Sequence, residues 1–356
     1  MQKVRKSNFE LLRLMSMLMV LNVHTFTAPD DLDILTMGGG NFARLLIDFF
    51  REASSISCVN LFVLISGYFS IKWKVRSISS LIFQVYFWIF LVAGISLIIG
   101  HSTISISKIC GYLMGIMNGY WFVGAYLGLY ILAPILNAFV EKSTMRQFKW
   151  YIIIFYIFFT IDALPYSTGY TNSGYSIYSF VGLYLIGQYI KRSDVGSLSL
   201  FQSKSKILLC ILGVTLLIAI SGLAVCAIFH RGGADLQLFP LSPIAYNNPL
   251  VIVQSILIFM FFYKLNIKSN FINWCAAGAL AIYLFHMHPD IKQDYYGFAR
   301  ALYDESVFTQ YLSIITLFIA IAIIAIPVDK LRAWIFDRLY NYVAASKIFN
   351  SHNGIN

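Results

Sequence analysis

Two ionisable residues, Arg13 and His24, lie eleven residues apart in the first apolar segment of the chain. Eleven steps of about 100° make three helical turns plus about 20°, so on a helix both side chains share one face, about 16 Å apart along the axis. A neutral imidazole at one end could act as a general base that takes a proton from a hydroxyl attacking a thioester. A guanidinium at the other end could hold the phosphorylated head of an acyl donor.

The same spacing also fits a purely structural arrangement. Arg13 could extend to the membrane interface and pair with Glu10, while His24 could be a hydrogen-bonded polar residue of a helix bundle. An arginine inside a membrane span costs about 2.5–3.5 kcal/mol on insertion scales, so either arrangement must offset that cost. Spacing alone does not separate the two interpretations.

Acidic residues at the start of the second apolar segment could support His24. Asp48 and Glu52 are four residues apart and share a helix face, at roughly the depth of His24. One of these carboxylates could hold the tautomer of His24, as a carboxylate does in hydrolase triads. The alternative is an ordinary interfacial ion pair with Arg51.

A segment near residue 285 contains tyrosine and histidine side chains that could also belong to the site. Tyr283 and His286 are three residues apart and share a helix face, so both could line the site of the acceptor, although hydrogen bonding within the bundle explains His286 equally well. His286 and His288 would point about 200° apart on a helix, which argues against a shared metal ion. The five cysteines stand singly, so the sequence predicts neither a metal site nor a complete disulfide framework.

Three basic residues, Lys72, Lys74 and Arg76, follow the second apolar segment. Their positive charge could attract an acidic cofactor, so we expect them to bind the donor together with Arg13. The usual excess of cytoplasmic positive charge accounts for them as well. Aromatic residues gather at the opposite interface, either as an aromatic belt or as rings on which a sugar stacks. They are Tyr120, Trp121, Tyr166, Tyr170 and Tyr175.

Membrane helices must position these residues. Of the 356 residues, 59% are hydrophobic and 12% are charged, whereas soluble globular chains carry roughly 25% charged residues. Lipid must therefore cover most of the surface, and apolar stretches of about 20 residues predict an all-α polytopic membrane protein with about ten transmembrane helices. The predicted spans are residues 9–27, 46–70, 79–100, 119–139, 148–165, 174–190, 206–229, 245–263, 272–289 and 308–328.

The net charge of +10 reflects topology rather than a nucleic-acid partner. With ten spans, nineteen of the 26 Lys and Arg residues fall on the side of the N-terminus and six on the opposite side. The positive-inside rule therefore predicts that both termini are cytoplasmic. Because no internal repeat or long linker divides the chain, we expect a single membrane-embedded domain over residues 1–356.

Four segments, in this order along the chain, carry a family resemblance. Asn8–His24 contains Arg-x10-His, and Val59–Phe69 contains Ser-Gly-Tyr. Tyr120–Asn137 contains Trp-Phe and Pro-x-Leu-Asn, and Ala281–Pro289 contains Tyr-Leu-x-His. On these motifs the chain resembles the acyltransferase-three family of integral-membrane O-acyltransferases.

The resemblance implies an enzyme of the bacterial cytoplasmic membrane with acetyl-CoA as donor and Arg13 and His24 as the functional pair. The acceptor it implies is an extracytoplasmic hydroxyl of a glycan, such as capsule, exopolysaccharide or O-antigen. Many members carry two arginines three apart after the second helix, and the spacing of Lys72, Lys74 and Arg76 departs from that pattern, which weakens a specific phosphate clamp.

A flippase or polymerase-type protein of the same glycan pathway is the alternative. A flippase would favour a cavity lined by many intramembrane Arg or Lys residues, and Arg13 is the one clear example in the predicted spans. A polymerase would be expected to carry a large outer loop, which the predicted topology does not contain.

Overall fold

The structure, a computed structural model, describes residues 6–26, 42–162, 172–193, 195–229, 242–302 and 305–345. All regular secondary structure within these ranges is helical. The helices are α1 (Ser7–Phe26), α2 (Phe42–Ser55), α3 (Cys58–Phe69), α4 (Val75–Ile98), α5 (Ile106–Leu113), α6 (Trp121–Lys142), α7 (Met145–Asp162), α8 (Ile177–Arg192), α9 (Lys204–Phe229), α10 (Pro249–Tyr263), α11 (Asn270–Ala276), α12 (Ala279–His286), α13 (Lys292–Ala301) and α14 (Val307–Ala345). Single helical turns lie at Gly115–Asn118, Asn172–Gly174, Val195–Ser197 and Ser199–Gln202.

Five helical segments of the described chain are long and apolar enough to cross a membrane. This finding confirms the all-helical fold and the membrane class, whereas the count of about ten spans and the side of the termini stay predictions. Each of the ten predicted spans overlaps at least one helix, but several of these helices are shorter or more polar. The five segments are Leu45–Phe69, Val75–Ile98, Trp121–Lys142, Lys204–Cys226 and Val307–Ala344.

The second predicted span is kinked between α2 and α3. At the kink, Gln254 of α10 donates from Nε2 to the carbonyl oxygen of Ala53 (2.8 Å) and accepts a hydrogen bond from the Ser57 hydroxyl. Lipid offers no hydrogen-bond partners, so a break at membrane depth must be satisfied by protein groups. The ninth predicted span is likewise divided, into α11 and α12, and residues at this break line a cavity.

Helix α14 continues well past residue 328, the predicted end of the tenth span. Its 39 residues make a helix about 58 Å long, roughly twice the thickness of the hydrocarbon core of a bilayer. The apolar run ends at Asp329, but Asp329 is buried and pairs with Arg332 one turn later (2.8 Å). Gln84 and Trp88 of α4 also donate to Asp329 (2.8 and 3.2 Å). These contacts satisfy the polar groups that follow the apolar run and attach this part of α14 to α4.

Helices α3 and α8 pack backbone against backbone. A Cβ atom at Gly187 would overlap the carbonyl oxygen of Leu64, and one at Gly67 would overlap that of Tyr184. Small residues at such crossings let membrane helices approach closely enough for van der Waals contact along their backbones. This contact holds α3, which carries the Ser-Gly-Tyr segment, against α8.

A buried carboxylate fastens α5 to the segment between α12 and α13. Asp290 forms an ion pair with Lys108 (2.6 Å) and accepts a hydrogen bond from the Tyr112 hydroxyl (2.7 Å). Burial by itself raises the pKa of Asp290, but the bonds to Lys108 and Tyr112 outweigh it and hold that pKa below its ordinary value. The carboxylate is therefore ionised at neutral pH and attaches this loop firmly.

We expect Gly187→Ala to lower the unfolding temperature of the detergent-purified protein, because overpacking a tight contact costs about 1–3 kcal/mol. Gly213→Ala on α9 is the matched control, since a Cβ there meets no atom within 4 Å, and alanine favours a helix over glycine by about 1 kcal/mol. Thermal unfolding of both variants checks the contact. Equal stability of Gly187→Ala and the wild type would contradict it.

Candidate active site

A cavity of about 340 Å³, called here the central cavity, follows one face of α1. Arg13 lines one end of it and His24 the other, so the two residues share a helix face, as their spacing predicts. Met17 and Val20 line the wall between them, and residues of α3, α6 and α12 close the opposite side. Arg13 and His24 therefore line the same cavity.

His24 is hydrogen-bonded to a second imidazole. Its Nδ1 lies 3.0 Å from Nε2 of His286 on α12, and Nδ1 of His286 lies 2.7 Å from the carbonyl oxygen of Ile282. A carbonyl oxygen only accepts, so Nδ1 of His286 carries a proton and donates it. No carboxylate among the described residues contacts this pair, and a buried imidazolium without a counter-ion is costly. His286 is therefore neutral, and its Nε2 accepts.

The tautomer of His24 follows from that of its partner. Because Nε2 of His286 accepts, Nδ1 of His24 must be the protonated nitrogen that donates to it. Nε2 of His24 is then unprotonated, and no described residue donates a hydrogen bond to it. A histidine that lines a cavity with one free basic nitrogen, held by a partner on the other nitrogen, has the arrangement of a general base.

The carboxylates of α2 do not hold His24. No hydrogen bond joins Asp48 or Glu52 to His24 in the described part of the chain. The hydrogen-bond partner of His24 Nδ1 is His286, not one of these carboxylates. Arg51 donates to the side-chain carbonyl of Gln310 on α14. Glu52 is fully buried, and neither of its carboxylate oxygens has a hydrogen-bond partner among the described residues.

Aromatic side chains surround the His24 end of the central cavity. The ring of Tyr283 lines the cavity, with its centroid 6.5 Å from that of His24. Trp121 packs on Tyr175 (4.5 Å between centroids), and Tyr175 packs on Tyr246 (5.0 Å). Tyr120 is buried instead and donates to a backbone carbonyl, while residues 163–171, which include two of the predicted interfacial tyrosines, lie outside the described chain.

Arg13 forms an ion pair with Glu10 of the same helix (2.6 Å), and its side chain keeps 31% of its surface exposed. Next to it, the Tyr126 hydroxyl lies 3.2 Å from the Ser66 hydroxyl, which donates to the carbonyl of Phe62 (2.9 Å). Ser66 and Tyr126 line the central cavity. Sequence reasoning did not select them, although Ser66 lies in the Ser-Gly-Tyr motif, which was the available signal.

The basic segment after α3 is held by the late part of α6. Asn137 donates to the carbonyl of Ile71, and the Tyr130 hydroxyl donates to the carbonyl of Lys72, both at 2.8 Å. Asn137 ends the Pro-x-Leu-Asn motif. These bonds fix the backbone of the segment and leave the side chains of Lys72 and Lys74 exposed.

The three basic residues of this segment do not converge on the central cavity. Lys72 lines a separate cavity of about 500 Å³ with Lys191 and Arg192. Arg76 pairs with Asp337 on α14 (2.8 Å). None of the three lines the central cavity with Arg13. Within the described residues, no group of three or more His, Cys, Asp and Glu side chains could hold a metal ion.

Comparison with known proteins identifies a family for this chain. No curated protein and no solved structure matches the chain. A family model described as an acyltransferase domain matches residues 6–328. The matched region contains Arg13, His24 and His286 and covers most of the chain.

We expect ¹⁵N spectra of histidine-labelled protein to show His24 as a neutral ring that is protonated at Nδ1 and unprotonated at Nε2. His286→Leu removes the acceptor, so the His24 signals should shift toward a tautomer mixture. His101→Leu is the control, because His101 is exposed and its ring contacts Asp290 and Asp294 rather than His24 or His286. A wild-type His24 that carries its proton on Nε2 would contradict the deduced geometry.

Proposed function

Since the chain belongs to the acyltransferase-three family and is a membrane acyltransferase, we propose that it moves an acetyl group from cytoplasmic acetyl-CoA to a hydroxyl of a cell-surface glycan. The observation that carries the proposal is the central cavity that joins Arg13 to His24. Its volume of about 340 Å³ falls in the range of small-molecule sites, roughly 300–1,000 Å³. A space of this size suits an acyl-bearing arm better than the lipid-linked oligosaccharide that a flippase must pass.

The proposed reaction uses the free nitrogen of His24. Nε2 takes the proton of the acceptor hydroxyl as its oxygen attacks the thioester carbonyl carbon. The tetrahedral intermediate then collapses, the carbon–sulfur bond breaks, and the thiolate of coenzyme A takes the proton back from the imidazolium. His286 accepts from Nδ1 of His24 throughout, so it orients the ring and disperses the charge that forms.

Donor binding is proposed for the Arg13 end. A guanidinium has five N–H donors, and Glu10 accepts from Nη1, so Arg13 can bridge Glu10 and a phosphate or a carbonyl of the donor arm. Lys72 and Lys74 add positive charge that attracts the acidic nucleotide. Arg76 is proposed for the same role, although Asp337 already neutralises much of its charge.

The proposed topology places the donor and the acceptor on opposite sides of the membrane. Ten spans with both termini in the cytoplasm put nineteen of the 26 Lys and Arg residues on the cytoplasmic side. In this arrangement α1 presents Arg13 to the cytoplasm and His24 to the outer half of the membrane. We propose a single domain in a bacterial cytoplasmic membrane, with a glycan or lipid-linked glycan as acceptor and no nucleic-acid partner.

We expect His24→Ala to reduce acetylation of the surface glycan by at least 10²–10⁴-fold, the contribution of a general base, while the protein still inserts in the membrane. Mass analysis of the glycan from cells that carry each variant measures the loss. His101→Ala serves as the control. Acetylation retained at the wild-type level in His24→Ala would count decisively against the proposed mechanism.

We expect Arg13→Gln to raise the KM for acetyl-CoA by about 10–100-fold, the value of one charge-assisted hydrogen bond, with a smaller effect on the KM for the acceptor. Release of coenzyme A by the purified enzyme gives both constants. Arg146→Gln, which removes an exposed arginine from α7, is the control. Equal effects on both substrates would assign Arg13 to the structure of the site rather than to the donor.

A further inference from the structure

The first turn of α6 faces the central cavity with backbone amides that no carbonyl group satisfies. Trp121 and Phe122 begin this helix of 22 residues, and both line the cavity. No carbonyl oxygen among the described residues accepts a hydrogen bond from either amide, and the side chain of the preceding Tyr120 does not cap the helix. The start of a helix carries about half a positive charge. This turn therefore favours negative charge in the cavity.

The hydroxyl of Tyr283 is a further donor beside this turn. Tyr283 belongs to α12, is 5% exposed and lines the central cavity. Its oxygen faces the backbone amide of Phe122. Because an amide N–H only donates, the oxygen accepts and leaves its own proton for another group. No described residue accepts that proton in a hydrogen bond, and a buried donor without an acceptor asks for a functional explanation.

Contacts between α6 and α12 hold these donors in place. The Tyr120 hydroxyl donates to the carbonyl oxygen of Leu284 (2.8 Å), which attaches the start of α6 to α12. The ring of Tyr283 packs on the rings of Tyr120 and Phe122, with centroid distances of 5.6 and 6.2 Å. Side chains locked by such packing keep a site within the tolerance that catalysis requires.

The Tyr283 hydroxyl lies on the same side of the cavity as the proposed general base. The ring centroids of Tyr283 and His24 are 6.5 Å apart, and both residues line the cavity. Among the described residues that line it, the cation is Arg13, about 16 Å from His24 along α1. Stabilisation of negative charge that forms next to His24 is therefore left to the neutral donors that line the same space.

We propose that Tyr283 is the oxyanion donor of this enzyme and that the first turn of α6 supports it. The inference rests on the proposed function and adds a catalytic residue to it. When the acceptor oxygen bonds to the thioester carbon, an electron pair of the C=O bond moves onto the carbonyl oxygen. The Tyr283 hydroxyl donates a hydrogen bond to this oxyanion and keeps its proton. The C=O bond forms again as the carbon–sulfur bond breaks.

The Phe122 amide acts through Tyr283 rather than on the substrate. By donating to the Tyr283 oxygen, it orients the hydroxyl toward the cavity and strengthens the hydrogen bond that the hydroxyl gives. The remaining unsatisfied amide, that of Trp121, adds to the positive field of the helix start. Each of these donors is neutral and already in place before the reaction, so no reorganisation is needed when the charge forms.

The first test is kinetic. Tyr283→Phe removes the hydroxyl and keeps the ring. We expect kcat, measured as release of coenzyme A by the purified full chain with its glycan, to fall about 10²–10³-fold, the value of one oxyanion donor. The KM for acetyl-CoA should stay close to the wild-type value, because the interaction is made in the transition state. Thermal unfolding shows whether the variant is folded.

Tyr156→Phe is the matched control for this variant. It removes a buried hydroxyl of α7 that has no hydrogen-bond partner among the described residues and does not line the central cavity. An unchanged kcat in Tyr283→Phe, or an equal loss in Tyr156→Phe, would overturn the proposal. A higher KM for the acceptor with an unchanged kcat would do so as well, because it would assign the hydroxyl to acceptor binding.

The second test is spectroscopic and needs no acceptor. The probe is a non-transferable ketone analogue of acetyl-CoA, in which CH₂ replaces the sulfur and ¹³C labels the carbonyl group. A hydrogen bond weakens the C=O bond and lowers its infrared stretching frequency. We expect the band of the bound analogue to lie below that of the free analogue in the wild type and in Tyr156→Phe. In Tyr283→Phe it should return toward the free value.

Three outcomes separate this inference from the proposed function. Glycan acetylation that requires His24 but not Tyr283 would keep the proposed function and overturn the oxyanion site. A carbonyl band that depends on Tyr283, together with no acetylation of a glycan, would support the oxyanion site and reject the glycan as acceptor. An analogue that fails to stabilise the wild-type protein against heat would overturn both.

Discussion

The hydrogen bond between His24 and His286 is the constraint on which the site depends. It joins residues 262 positions apart in the chain, and it positions the His24 ring from a buried partner. A carboxylate partner in the same place would have brought a charge that must itself be desolvated. A second neutral imidazole, anchored by a backbone carbonyl, avoids that cost and still leaves one basic nitrogen of His24 facing the central cavity.

The bundle makes this contact possible by breaking two of its helices. The break between α11 and α12 lies beside the central cavity, and α12 then carries His286 toward α1. Irregular backbone at membrane depth is tolerated where protein or a cavity, rather than lipid, surrounds it. The kink between α2 and α3 follows the same rule, because Gln254 satisfies it from α10. Both irregularities occur where the site is built.

Polar groups of the bundle fall into two classes. Some are fully paired, such as Asp329 with Arg332, Gln84 and Trp88, or Asn137 with its backbone and side-chain neighbours, and these hold helices together. Others, such as the carboxyl of Glu52, are buried and unsatisfied in the described structure. The first class stabilises the fold, whereas each member of the second lowers its stability, because an unsatisfied buried polar group costs about 1–3 kcal/mol.

The sequence by itself determined what depends on local geometry. Composition indicated membrane helices, the helical period placed Arg13 and His24 on one face, and four motifs identified the family. Only the tertiary structure decided that His286 rather than Glu52 pairs with His24, and that Lys72 and Arg76 contact different parts of the protein. It also decided that Asp329 pairs with residues of α4. Periodicity specifies which residues share a face of one helix, but not the rotation of that helix against its neighbours. That rotation is set by packing between distant segments, such as Gly67 against Tyr184 and Gly187 against Leu64.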